Sequence, residues 1–180
     1  IPADVWLHHA VVKTADQLTY YRNGIEASSG TFTQPLDFPQ PLFFGGDNEG
    51  AEGENWSGLM SDVRIYDGAL SVDEIRHLAG TPVDPGSDGL VAFYALENDV
   101  LDGSGNGNDG TIVGNPTFVE GPVGYGMAME FDGESYVDCG NDASLDITGP
   151  ISMSIWIRPG TDGGVETAPL CKADASAGWS

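Results

Sequence analysis

Basic residues are scarce in this sequence. Six of 180 residues are Lys or Arg against 28 Asp or Glu, giving a formal charge of −22 and an isoelectric point near 4.1. Nucleic acids and anionic membranes are held by Lys and Arg that displace counterions. Both partners are therefore excluded on electrostatic grounds, nucleic acid save through a bridging metal. Long hydrophobic runs are missing too, and none comes near the roughly 20 residues that span a bilayer. Cysteine is limited to Cys139 and Cys171, which make no disulfide framework; one bridge and two buried thiols are both open. No signal-peptide pattern is present, and the chain opens with Ile1-Pro2 rather than Met. It is expected to be a piece of something longer.

What is present excludes a disordered acidic tail, because 40% of the residues are hydrophobic. The 26 glycines and 11 prolines call for many turns rather than long helices, and the length suits one domain with a sizeable core. The acidity has two readings. One is solubility in a secreted or salt-exposed setting; the other is that some carboxylates form divalent-cation sites, since hard oxygen ligands suit Ca²⁺.

The hydrophobic period is two almost throughout. Val5 to Lys13 and Gln17 to Arg22 read as strands joined to a return strand, Ile25 to Ser28, by an Asn23-Gly24 turn whose residues tolerate positive φ. Pro41 to Phe44, Trp56 to Tyr66, Leu90 to Leu96, Thr111 to Val113, Met127 to Asp132, Ser135 to Cys139 and Ile151 to Arg158 continue the series. One helix is expected after Ser71-Val72-Asp73-Glu74, a capping box, with Leu70, Val72, Ile75 and Leu78 as its apolar face. Asp102 to Gly110 reads as a loop too glycine-rich to pack and too rich in Asp and Asn to be a mere spacer. Short strands at regular spacing with one short helix predict an all-β, antiparallel sandwich.

Gly89 to Gly110, Met129 to Gly133, Tyr136 to Asp138 and Ile151 to Pro159 (ISMSIWIRP) resemble the opening half of a bacterial laminin-G-like jelly roll of the concanavalin A-like lectin/glucanase superfamily. Asp4 to Ala10, Leu18 to Gly24, Gly45-Gly46 and Gly58 to Leu78 (GLMSDVRIYDGALSVDEIRHL) resemble its closing half, and this is the more specific block. The closing half comes first. The expected layout is 1–80 as closing half, 81–88 as linker and 89–180 as opening half, closing together into one circularly permuted, incomplete sandwich. Trp56 to Tyr66 is expected to pair with Leu90 to Leu96. Strands missing from the middle would leave sheet edges open, so a homo-oligomer through those edges is expected.

The resemblance implies a calcium site where an Asp of the last strand meets the start of the domain. Transferred by position, that gives Asp62 and Glu97, with Asp102, Asn106, Asn108, Asp109 and Asp132 as further oxygen donors. The alternative is that these Asp and Asn residues only stabilise turns. Asp47, Asn48, Glu49, Glu52 and Glu54 form a second acid-rich loop, either solvated or weakly metal-binding. Strand alternation puts His8 and His9 on opposite faces; His9 is the one weak candidate for a general base, and His77 is placed on the exposed side of the helix. No Gly-x-Ser-x-Gly elbow occurs, no phosphate loop, and no Glu-x-Asp-x-x-Glu run of the kind the superfamily's glycosidases carry. Trp6, Tyr21, Trp56, Tyr125 and Trp179 are candidates for stacking on sugars or for the core.

Two functions follow as expectations. The first is a secreted or cell-surface, non-catalytic, calcium-stabilised module for adhesion or for binding carbohydrate or protein. The second is a divalent-metal-dependent hydrolase acting on phosphate esters or diesters through the acidic sites.

Overall fold

A computed structural model of the chain describes residues 4–34, 40–46, 55–80, 88–160 and 169–172. The alternating segments become strands β1 (Leu7–Lys13), β2 (Gln17–Arg22), β3 (Ile25–Thr31), β4 (Phe43–Phe44) and β5 (Ser57–Tyr66). Helix α1 (Val72–Gly80) follows, then β6 (Leu90–Tyr94), β7 (Thr111–Val113), β8 (Thr117–Glu120), β9 (Met127–Asp132), β10 (Tyr136–Asp138), β11 (Ile151–Pro159) and β12 (Leu170–Cys171). A 3-10 turn spans Ala143–Leu145. The expected all-β class with one short helix is what forms.

The strands make two antiparallel sheets. The larger runs β3-β2-β1-β11-β5-β9-β8, with β6 alongside β5, and the smaller runs β12-β4-β10-β7. The long strand β5 is lined on one side by β11 and on the other by β9 over its first residues and β6 over its last. Trp56 to Tyr66 thus pairs with Leu90 to Leu96 as expected, with Arg64 opposite Phe93. Residues 81–87 of the expected linker lie outside the described residues.

Alternation drives the layering. The inner face of the large sheet packs Met60, Val63, Ile65, Met129 and Phe131 against Phe44 and Val137 of the small sheet. Each fully buried side chain of this size contributes about 1.5–3 kcal/mol, so these residues hold the two layers together. On the outer face Ala10, Val12 and Tyr21 receive Ile75 of α1.

The helix starts where its capping box predicts. Glu74 N donates to Ser71 Oγ at 3.3 Å, and Ser71 N and Oγ donate to Glu74 Oε2 at 2.7 and 2.6 Å. Val72 does not join the apolar face but stays exposed, and His77 is half-buried rather than exposed. The Asn23-Gly24 turn has positive φ at both residues, 51° and 74°, the pattern of a tight hairpin. It tucks beneath α1, where a Cβ on Gly24 would stand 3.1 Å from Arg76 Cα.

Two short strands, β8 and β12, were not expected, and β3 runs three residues past Ser28. The larger correction concerns Asp102 to Gly110, which packs after all. It lies along the edge of β6 that β5 leaves open. Gly103 N donates to Phe93 O at 2.8 Å, Phe93 N donates to Asp102 Oδ1 at 3.0 Å, and Val91 O accepts from Ser104 Oγ, Asn106 Nδ2 and Asn108 Nδ2 at 2.9–3.0 Å. Glycine lets the loop fold tightly, while Asp and Asn supply the ladder bonds a neighbouring strand would have made.

Candidate functional site

The acidic residues implied as cation ligands are dispersed among structural roles. Asp62 is the extra residue of a β-bulge in β5, where the register against β11 shifts between Ser154 and Trp156. Its φ of 52° is one Asp tolerates better than most residues. Its carboxylate clamps Arg64, whose Nε donates to Oδ1 at 2.6 Å and Nη2 to Oδ2 at 3.1 Å. The guanidinium in turn sits 4.3 Å from the centroid of Phe93. Burial works against the charge on Arg64, but its bond to Asp62 outweighs this and strengthens its hold on the proton.

Glu97 is exposed and accepts from Met127 N at 3.1 Å. Asp102 accepts from Phe93 N, Ser104 N, Ser104 Oγ and Asn108 N. Burial raises its affinity for a proton, yet these donors win and hold it below the usual carboxylate range. Asp109 accepts from Asp102 N, and the two amides Asn106 and Asn108 donate to β6 carbonyls. Asp132 Oδ1 closes the β9–β10 turn by accepting from Glu134 N, Ser135 N and Ser135 Oγ.

A Ca²⁺ cage needs six to eight converging oxygens. Here a cation at Asp62 would meet the Arg64 guanidinium, and both Asp102 oxygens already face donors. Among the described residues no three His, Cys, Asp or Glu side chains gather as metal ligands. The expected set does not fit calcium as arranged; the turn-stabilising alternative accounts for Asp102, Asn106, Asn108, Asp109 and Asp132. The acid-rich loop from Asp47 to Glu54 and Trp179 lie outside the described residues.

The adjacent histidines separate to opposite faces of β1 as alternation requires. His8 Nε2 lies 2.7 Å from Ser154 Oγ on the outer face, its ring edge-on to Trp156. Burial, reinforced by the charges of His9 and Arg64, lowers its pKa to about 3. His9 Nδ1 is 2.8 Å from Tyr20 Oη on the inner face. Burial and Arg22 lower its pKa to about 4, well under what a general base working near neutrality needs. Of the aromatic candidates, Tyr21 and Trp56 belong to the buried core. Tyr125 is half-buried, with its ring against Trp156 and its hydroxyl donating to Leu78 O at 2.9 Å. Trp6 is half-buried. No bridge joins Cys139 to Cys171, and burial pushes the Cys139 thiol up to about 12.

Sequence reasoning passed over the most distinctive concavity. The small sheet is shorter than the large one, and where it stops a cavity of about 260 Å³ opens between the layers. Val11, Leu18 and Met153 line it from the large sheet, and Leu42, Leu145 and Leu170 from the other side. Lys13 also lines it, 4% exposed. The signal was available: Lys13 is in phase with Leu7, His9 and Val11 on β1, so alternation points it inward.

Residues 1–76, which run from β1 through β5 into α1, match the family model described as the concanavalin A-like lectin/glucanases superfamily, laminin G type. The segment is similar to laminin-G-like domains. No curated protein matches the chain, and no solved structure does. The laminin-G-like segment contributes both the bulge with Asp62 and Arg64 and one wall of the cavity, through Val11, Lys13 and Leu18.

Proposed function

We propose that the chain is a non-catalytic binding module of the concanavalin A-like kind, working outside the cell in adhesion to a glycan or protein partner. The observation that carries this is the employment of its acidic side chains. Asp62 neutralises Arg64, and Asp102, Asp109 and Asp132 organise turns. A hydrolase needs carboxylates or a metal free to act on substrate, and nothing among the described residues favours that alternative. Residues 89–180 are read as the opening half of the same domain type, permuted behind the closing half. In support, β6, β9 and β11 pair directly with strands of residues 1–80.

The test combines three measurements on the 180-residue chain. Melting with Ca²⁺ and with EDTA is expected to give the same midpoint, generic phosphate and carboxylate esters are expected to survive incubation, and a glycan and matrix-protein panel is expected to yield saturable binding. Ester hydrolysis abolished by EDTA, with the fold intact, would replace the module with an enzyme.

A further inference from the structure

Lys13 is the one Lys or Arg of β1, and the residue as a whole is almost wholly buried. Nζ donates to the carbonyl of Thr14 at 2.9 Å and lies 5.4 Å from the Phe32 ring centroid. None of the ion pairs among the described residues includes it. In a chain with 28 carboxylates against six basic residues, a buried lysine with no carboxylate partner among the described residues is conspicuous. A buried charge carries a large penalty unless it is paired, and two of the three ammonium protons of Lys13 have no acceptor among the described residues. The acid that lines the same cavity, Asp146, is taken by Lys172 Nζ at 2.7 Å.

Apart from Lys13 and the Asp146–Lys172 pair, the cavity is walled by apolar side chains from both layers. Its volume of about 260 Å³ is slightly under the roughly 300 Å³ at which small-molecule pockets begin, which limits the occupant to a small molecule. We propose that this cavity binds a medium-chain fatty carboxylate, the alkyl tail lying between the sheets and the carboxylate accepting hydrogen bonds from the Lys13 ammonium. The tail supplies burial of apolar surface; the head neutralises the charge and takes up the free donors. The proposal does not rest on the module reading, and its test needs no glycan or protein ligand.

The experiment is calorimetric titration of the chain with decanoate below its micellar range, alongside decanol, acetate and vesicles of an anionic phospholipid. Saturable one-to-one binding of decanoate is expected, at least tenfold tighter than decanol, with no binding of acetate or vesicles. Lys13→Met is expected to weaken decanoate at least tenfold while leaving decanol unchanged. Met153→Trp, which fills the cavity, is expected to abolish both. If Lys13→Met does not fold, the decanoate-to-decanol ratio on the unsubstituted chain and the Met153→Trp variant decide. Equal affinity for decanoate and decanol, undiminished binding to Met153→Trp, binding to vesicles but not to free decanoate, or self-association that excludes decanoate would each overturn the proposal.

Discussion

Two edges of the large sheet, at β6 and at β3, are treated differently, and the contrast is informative. Beside β6 the ladder is continued by the Asp102–Gly110 loop, whose backbone and side chains bond to Val91 and Phe93. Strand β3 at the far end is exposed along its whole length, and no strand among the described residues flanks it on the outside. An uncovered edge is a template for another chain. A glycine-rich acidic loop, which reads as a source of cation ligands, here acts as the seal of a sheet. At β3, where no such seal exists among the described residues, backbone groups are left open to pairing.

Removing the seal should have the largest effect. Asp102→Ala takes away the acceptor for Phe93 N, Ser104 N, Ser104 Oγ and Asn108 N. Since each half-buried donor left unsatisfied costs about 1–3 kcal/mol, a loss of at least about 3 kcal/mol is expected by urea denaturation. Amide exchange should also speed up at Phe93 and Asn108 but not in β3. A loss under 1 kcal/mol would mean that the loop merely rests against β6.

Acid sharpens the comparison, because the interior of the sheet at His8 and the β6 seal should respond at different pH. His8 is neutral when folded and titrates near its ordinary value when unfolded, so the unfolded state binds the extra proton between pH 6.5 and about 3. Stability should therefore fall as pH drops below 6.5, by about 2 kcal/mol at pH 5, with the β6 seal still intact. Asp102 titrates below its ordinary value in the fold, so its contribution is present above about pH 4 and is lost only as pH falls further. Midpoints measured from pH 7 to 3, with His8→Phe as reference, check the order. A flat profile between pH 6.5 and 5 contradicts the assignment.

Smaller effects are expected elsewhere. Ser71→Ala removes one half of the capping box and should cost about 1 kcal/mol, without altering exchange at either sheet end. Ile25→Lys, on a side chain 72% exposed at the start of β3, should change stability by less than about 0.5 kcal/mol. It should nonetheless suppress concentration-dependent association in sedimentation. A monomer at every concentration before the substitution would show that the bare edge is harmless.

Much of the fold was legible because strands of five or more residues keep their alternation over enough length to read. Asn23-Gly24 and Ser71-x-x-Glu74 carry their geometry in their own chemistry. The four residues of β8 and two of β12 are too few to show a period, and the Ser28–Thr31 end of β3 has little strand propensity and is held only by β2. The site was harder to read. Whether Asp102 faces a cation or the amide of Phe93 depends on residues brought close by folding. Asp62 was legible in part, since Asp-x-Arg on a strand puts opposite charges on one face; the bulge that orients it is set by β11, nearly a hundred residues later.

β11 enters between β1 and β5, so neither of those two strands has its neighbour until Ile151–Pro159 exists. On a ribosome adding about 5–20 residues per second, β1 waits on the order of ten seconds with that backbone edge unpaired. The chain's surplus of negative charge is then a safeguard for the nascent polypeptide, keeping neighbouring copies apart until the central strand arrives.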